Sequence, residues 1–330
     1  MILVVLFPIR HNQLIISKLG IDCVPVRTER SDIVQICEIS GLTSRPVKTP
    51  AFSVGCELKS DILHPLLSFT SVHRVRQPPQ MLIFDFDGVM VDSLDEVIVT
   101  AHNSASPDLV KSLEDLPRGF EKVFRANRYH VQPAADFPVL SNWCLNVCEQ
   151  APETVLTRSE YRKLLARDTE SPTSRRDRFF GIRKVFVDQD LERWLNLNRP
   201  YNPLWESLIE FGGANIVIMT NKNRDPVIAL CHHFGLRIES RNVYSAEVGA
   251  SKTDNLNAIH ERFGKDAYYF IDDSVPNLSD LDTYFEGRTE FTWLFATWGY
   301  VGPQDREEAE RLDFPCLTQE EFVACMPKYA

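Results

Sequence analysis

Two short acidic clusters in this 330-residue chain each follow a run of apolar residues. Asp85-Phe86-Asp87-Gly88-Val89 comes directly after Met81-Leu82-Ile83-Phe84, and Asp272-Asp273-Ser274 directly after Phe270-Ile271. Two carboxylates two residues apart point to one side of an extended chain, and Gly88 allows a sharp departure from the strand. Anions this close repel each other unless a cation or a proton lies between them. Mg2+ suits the position: it is hard, takes oxygen ligands, and is commonly held by one or two carboxylates together with substrate phosphate. A third run, Ile216-Val217-Ile218-Met219, ends in Thr220-Asn221-Lys222, with a helical pattern opening after Arg224. A hydroxyl, an amide and backbone N–H groups at such a point can hold phosphate oxygens. Lys252, near the start of the next helical pattern, offers a fixed positive charge for a phosphate. Each piece alone is ordinary, since an isolated Asp-x-Asp is mostly surface and a threonine after a strand is mostly a helix cap. Together they converge on the strand ends of a doubly wound sheet, where such folds bind ligands.

The elements that must position these residues are legible as patterns. Unbroken apolar runs at 81–84, 215–220, 267–272 and 291–297 read as buried parallel strands. Helical patterns at 224–234 and 253–263, and a shorter one after Pro276, alternate with them, which gives an α/β unit with a parallel sheet. Between 94 and 205 no comparable strand run occurs. Helical patterns lie near 94–106, 119–128, 137–149, 158–167 and 190–197, as in a helical insertion between the first and second sheet strands.

Residues 1–80 differ: they carry nine Lys/Arg and six Asp/Glu in a chain whose net charge is −10. They are rich in β-branched residues and broken by Pro25, Pro46, Pro50 and Pro65, so they read as short strands and turns, with a boundary at Pro78-Pro79. The expected architecture is an α/β, Rossmann-like doubly wound parallel sheet with an inserted helical cap and a small β-rich N-terminal segment. Residues 1–80 would be accessory, 81–93 and 206–330 the core, and 94–205 the cap.

Composition removes other classes. Apolar residues make up 44% of the chain, which is enough to offset ordering entropy and excludes disorder over the whole length. The charge of −10 disfavours a broadly basic nucleic-acid binder. No run reaches the roughly 18–20 apolar residues of a membrane span. The apolar start, residues 1–8, has no basic residue before it and makes a poor signal peptide. Eight scattered cysteines without a C-x-x-C pair then read as reduced thiols in a cytoplasmic protein, with Cys144 and Cys148 on one helix face.

The four motifs, in this order, resemble those of the haloacid dehalogenase superfamily of phosphohydrolases. The resemblance runs from about residue 81 to 300, with Thr297-Trp298-Gly299-Tyr300 fitting that family's closing strand. The Thr220-Asn221-Lys222 wording is similar to the phosphoglycolate phosphatase-like branch, which carries its helical cap after the first motif. The resemblance implies that Asp85 is the nucleophile that takes the phosphoryl group, and that Asp87 is the general acid and then the base. It implies that Thr220, Asn221 and Lys252 hold the phosphoryl oxygens. Asp85, Asp273 and the backbone carbonyl of Asp87 would bind Mg2+, with Asp272 as an outer ligand. Such chemistry is sensible: Mg2+ and a lysine screen the meeting of a carboxylate with a phosphate, and a covalent step divides one slow hydrolysis into two easier ones. The dehalogenase branch lacks an acid at the position of Asp87, so Asp87 favours phosphoryl transfer.

The implied function is a Mg2+-dependent phosphatase acting on a small phosphorylated metabolite, with no membrane partner and the oligomeric state open. The alternatives are a phosphomutase using the same residues, or a nucleobase- or RNA-binding protein built on residues 1–80 with an inert core. Arg175, Arg176, Arg178, Arg183 and Lys184 form a basic cluster in the insertion that either contacts an anionic substrate or, the favoured reading, is a solvated helix face. Trp143, Trp194 and Trp205 read as core. The adjacent His232 and His233 point in different directions on a helix, which argues against a shared metal site. Residues 45–55, Arg-Pro-Val-Lys-Thr-Pro-Ala-Phe-Ser-Val-Gly, resemble the opening strands of the tRNA-guanine transglycosylase family. Eighty residues cannot form that family's barrel, and the segment reads as ancillary.

Overall fold

The structure, a computed structural model, describes residues 6–8, 23–27, 33–37, 80–245 and 251–326. Two compact units divide the chain, Met1–His73 and Arg74–Ala330. In the first, β1 (Leu6–Pro8), β2 (Cys23–Arg27) and β3 (Ile33–Cys37) form an antiparallel sheet in the order β1-β3-β2. The Pro78-Pro79 boundary and the segment 45–55 lie outside the described residues.

The second unit is built on β4 (Gln80–Phe84), β7 (Ile216–Met219), β8 (Val243–Tyr244), β9 (Ala267–Asp272), β10 (Phe291–Ala296) and β11 (Cys316–Leu317). These six strands form one sheet in the order β11-β10-β9-β4-β7-β8, and every pairing in it is parallel. Alternate residues of the strands enter two separate apolar layers. Leu82, Phe84, Ile216 and Ile218 pack on one face with Trp205 and Leu208 of a helix Leu204–Phe211 and Leu230 of a helix Arg224–His233. Met81, Ile83, Val217 and Met219 pack on the other with Leu256 and Ile259 of a helix Lys252–Phe263 and Leu278 and Leu281 of a helix Val275–Tyr284. Both faces are covered, which is why the strands read as continuous apolar runs without polar alternation. The chain winds outward from β4 to β7 and β8, then returns to the other side for β9, β10 and β11. The direction reverses between β4 and β9, and a crevice opens there at the carboxyl ends of the strands.

A two-stranded ribbon, β5 (Val91–Asp92) against β6 (Arg199–Pro200), brackets the helical insertion. Between them lie α1 (Leu94–Ala105), α2 (Phe120–Asn127), α3 (Phe137–Val147), α4 (Arg158–Arg167), α5 (Pro172–Gln189) and α6 (Leu191–Asn196). Helix α4 opens with a reciprocal capping box between Thr157 and Glu160. The insertion has its own core, which includes Ile98, Phe120, Phe124, Leu140, Cys144 and Phe179. Trp194 and Leu195 of α6 instead join the core of the sheet, and Trp205 does the same. Trp143 is partly buried against the core of the insertion.

Some expectations change. Helix α5, with 18 residues, has no counterpart among the sequence patterns, because its buried positions include Arg175 and Arg183 alongside Phe179 and Phe186. Residues 297–300 are not a closing strand: β10 ends at Ala296 and the chain turns there, above the strand tips. No helix among the described residues is long and apolar enough to cross a membrane.

Candidate active site

The ladder between β4 and β9 carries the first acid into place. Asp85 follows the last residue of β4, and its N–H still donates to the carbonyl of Ile271 on β9 (2.9 Å). Asp272 is the last residue of β9, and Asp273 begins the turn into the next helix. Adjacent parallel strands therefore deliver three acids to one point. One carboxylate oxygen from each of Asp85, Asp272 and Asp273 lies within 4.8 Å of the others, and all three residues are buried.

Lys252 reaches this cluster from the first residue of its helix, whose N-cap, Ser251, accepts from the N–H of Asp254 (3.1 Å). Its ammonium donates to Asp85 Oδ1 (3.0 Å) and to Asp272 Oδ2 (2.5 Å). Asp272 is fully engaged: Oδ1 also accepts from the N–H of Ser274 (2.8 Å), and Oδ2 from Asn277 Nδ2 (3.1 Å). Asp273 is held by its surroundings. The N–H of Tyr300 donates to Oδ2 (2.6 Å), and Gly88 and Gly299 stand so close that a Cβ on either would lie 2.1 Å and 2.3 Å from that oxygen. The turn at 297–300 is what brings Gly299 and Tyr300 there, and Trp298 Nε1 ties it to the carbonyl of Val89 (2.9 Å).

Charge does not balance in this cluster. Three buried carboxylates face one ammonium, so two of the three need a proton or a further cation to be neutralised. Burial pushes Asp85 up to about 8, with Lys252 opposing and the nearby Asp272, Asp273 and Asp87 adding to the rise. Burial and Asp272 push Asp273 up to about 7 against the Tyr300 amide and Arg128. Burial works against the charge of Lys252, but Asp272 and Asp85 more than compensate and raise its pKa. An all-carboxylate donor set with this excess fits a hard divalent cation such as Mg2+.

Asp87 does not join the three. Its carboxylate accepts from Lys222 Nζ through both oxygens (3.0 and 3.3 Å), so its side chain is not a fourth acid of the cluster. Thr220 is buried, with its N–H on the carbonyl of Tyr244 (2.9 Å) and Oγ1 accepting from the N–H of Lys222 (3.1 Å). Asp85, Asp87, Asp273, Thr220 and Asn221 share the wall of one cavity. Asp272 and Lys252 stand behind Asp85 and outside that wall.

The insertion closes the opposite side with Phe137, Phe179, Arg128 and Arg183, and Tyr300 completes it. Arg128 lies over the rings of Tyr300 (4.4 Å) and Phe137 (5.0 Å). Arg128 does not stand out in the sequence, because it is a single residue far from every motif. Tyr300 lies in the segment 297–300 that the sequence singles out, but nothing local shows that its N–H meets Asp273. Lys222 does lie in a motif, but nothing local shows its partner. The basic cluster is not a solvated face as a whole. Arg175 is buried, bonded to the carbonyl of Ala135 (2.9 Å) and to Asp168 (2.7 Å), and Arg183 is buried on Glu96. Arg176 and Lys184 are exposed and paired to Asp177 and Asp188, and Arg178 is paired to Glu170. His232 and His233 end their helix away from the acids.

No protein-family model and no curated protein matches the chain. Among solved structures it is similar to a predicted phosphoglycolate phosphatase from Haemophilus somnus, at 16% identity and a TM-score of 0.46, covering 76% of this chain and 97% of that one. It is similar to a predicted phosphatase from Clostridium acetobutylicum at 12% identity and a TM-score of 0.45, with 76% and 100% covered. A hydrolase from Pseudomonas syringae is similar at 14% identity and a TM-score of 0.46, with 76% and 99% covered.

Proposed function

We propose that the chain is a Mg2+-dependent, haloacid dehalogenase-like phosphatase that hydrolyses a small phosphomonoester through an aspartyl-phosphate on Asp85. The observation that carries this reading is the meeting of Asp85, Asp272 and Asp273 at the tips of adjacent strands, with Lys252 bridging Asp85 and Asp272 and with Asp85 and Asp273 in the wall of a cavity that also holds Asp87 and Thr220. Asp85 and Asp273 would hold the ion, while Asp272 spends its oxygens on Lys252, Ser274 and Asn277. When bound, the ion supplies the positive charge that lets a carboxylate approach a phosphate.

Lys252 occupies Oδ1 of Asp85, and Oδ2 is without a hydrogen-bond donor among the described residues; in this reading Oδ2 is the attacking atom. In the first step the bond from Asp85 to phosphorus forms and the bond from phosphorus to the leaving oxygen breaks. Asp87, which enters this step protonated on one oxygen with the other kept on Lys222, gives that proton to the leaving oxygen, a contribution typically of about 10²–10⁴-fold. In the second step Asp87 takes a proton from water as the water oxygen bonds to phosphorus and the acyl phosphate opens. Thr220 binds the phosphoryl oxygens, with Asn221 at the rim of the same cavity, while Lys252, outside that wall, screens charge from behind Asp85. Phe137 and Phe179 limit access of bulk water from the side of the insertion.

The test is release of inorganic phosphate from a panel of metabolite phosphoesters, with Mg2+ or a chelator, for the wild type and Asp85→Asn. The expected result is release that stops with the chelator and in the variant. Wild-type rates in Asp85→Asn, or no turnover of any ester, would overturn the reading.

A further inference from the structure

We infer that Glu96 is a positioning residue for Asp87, acting through the buried ammonium of Lys222; this rests on the phosphatase reading above. Among the described residues, Lys222 Nζ is the only hydrogen-bond donor to the Asp87 carboxylate. Whatever fixes Lys222 therefore fixes Asp87. The Lys222 side chain is wholly buried, lies over the ring of Trp194 (5.8 Å), and has Glu96 Oε2 3.6 Å from its nitrogen. The residue lines the cavity but its side chain has no exposed surface, and its place is set by those two neighbours and by Asp87.

Glu96 is itself immobilised. Arg183 donates to it in a two-pronged pair, Nε to Oε1 (2.8 Å) and Nη2 to Oε2 (2.9 Å), and Thr100 Oγ1 donates to Oε1 (2.7 Å). A fixed anion thus holds the lysine, and the lysine holds the acid in the cavity wall. The same arrangement recurs a short distance away: Asp272, fixed by Ser274 and Asn277, holds Lys252, which holds Asp85. Glu96 and Thr100 belong to α1 and Arg183 to α5, so the helical insertion sets the place of an acid that the sheet carries.

A positioning role is separable from a merely structural one by the leaving group. A p-nitrophenolate departs without a proton, whereas an alkoxide needs one. Turnover of p-nitrophenyl phosphate and of a simple alkyl phosphate is measured for the wild type, for Lys222→Met, and for the double variant Glu96→Gln/Arg183→Met, which removes both buried charges together. The expected result is that the alkyl-to-aryl ratio of kcat/KM, which reports only the steps up to departure of the leaving group and not the shared hydrolysis of the acyl phosphate, falls at least about tenfold in both. Should the double variant not fold, Thr100→Val carries the test, with an expected fall in the ratio of about twofold. Equal losses on both esters, or an unchanged ratio, overturn the inference and leave the phosphatase reading intact. A wild-type protein inert on both esters overturns the reading and the inference together.

Discussion

Replacing Gly299 with alanine adds one methyl group beside Asp273 and changes nothing else. The new Cβ would lie 2.3 Å from Asp273 Oδ2, 2.4 Å from its Cβ and 2.5 Å from the carbonyl oxygen of Gly88. Ordinary contact begins at 3.4 Å, so these groups must part by about 1 Å. Only Oδ2 is the end of a side chain, and it is held by the Tyr300 N–H; the Gly88 oxygen is backbone, and the Asp273 Cβ is a single bond from backbone. Overpacking of this kind typically costs about 1–3 kcal/mol. A displacement of about 1 Å at a catalytic group can cost about 10²-fold in rate. Gly299→Ala is therefore expected to melt a few degrees lower, to need more Mg2+ for half-maximal activity, and to lose about two orders of magnitude in phosphate release. The assays are a thermal melt with chelator present and a Mg2+ titration of turnover. A folded Gly299→Ala protein with wild-type turnover and an unchanged Mg2+ requirement would refute the claim that activity depends on Asp273 being held between the two glycines.

Two further predictions concern pH, with opposite signs. Burial disfavours the Glu96 carboxylate, but Arg183 and Lys222 outweigh it and bring its pKa down from 4.5 to about 2. Between those values the unfolded chain binds a proton that the folded protein does not. The contribution, on the order of 3 kcal/mol, is complete above pH 4.5 and drains away as pH falls toward 2. Denaturant melts across that window should show a shallower pH dependence in Glu96→Gln/Arg183→Met than in the wild type, and parallel curves would contradict the ion-pair account. Asp85 and Asp273 lie the other way, raised from 3.8 to about 8 and about 7. From pH about 4 upward the metal-free folded protein keeps protons that the unfolded chain has released, so its stability should fall as pH rises toward 8. Mg2+ added near pH 6.5 should then expel about one to two protons. Calorimetric titration in two buffers of different ionisation enthalpy reads this directly, and a buffer-independent heat would contradict it.

The parts of the fold that were legible in the sequence are those whose signal is local. Met81-Leu82-Ile83-Phe84 is apolar at every position because both faces of β4 are covered, and no amphipathic pattern competes with that reading. The acids that follow β4 and end β9 are visible for the same reason: they interrupt apolar runs abruptly. The strands β8 and β11, two residues each, are too short to carry a pattern. Helix α5 was hidden because arginines fill core-facing positions where periodicity looks for apolar residues. Glu96 and Arg183 are 87 positions apart, and Lys222 and Asp87 are 135 apart. No window along the chain contains both members of either pair, and a single charged residue carries no information about its partner.

The two lysine bridges share a logic but differ in what can disturb them. Lys252, Asp272 and Asp85 all stand on the sheet or on the helix that follows β8, so their geometry belongs to the sheet layer alone. Lys222 and Asp87 also follow sheet strands, but their anchor, Glu96 with Arg183, comes from helices α1 and α5. A displacement of the insertion therefore perturbs Asp87 through Lys222 and leaves the contacts of Lys252 with Asp85 in place. In the proposed chemistry, attack by Asp85 needs no help from the insertion, whereas delivery of a proton to the leaving oxygen does. Val97 of α1 and Phe179 of α5 also line the cavity. The same helices that meet the leaving group would thus place the acid that protonates it, a coupling that a cavity wall built only from the sheet would not provide.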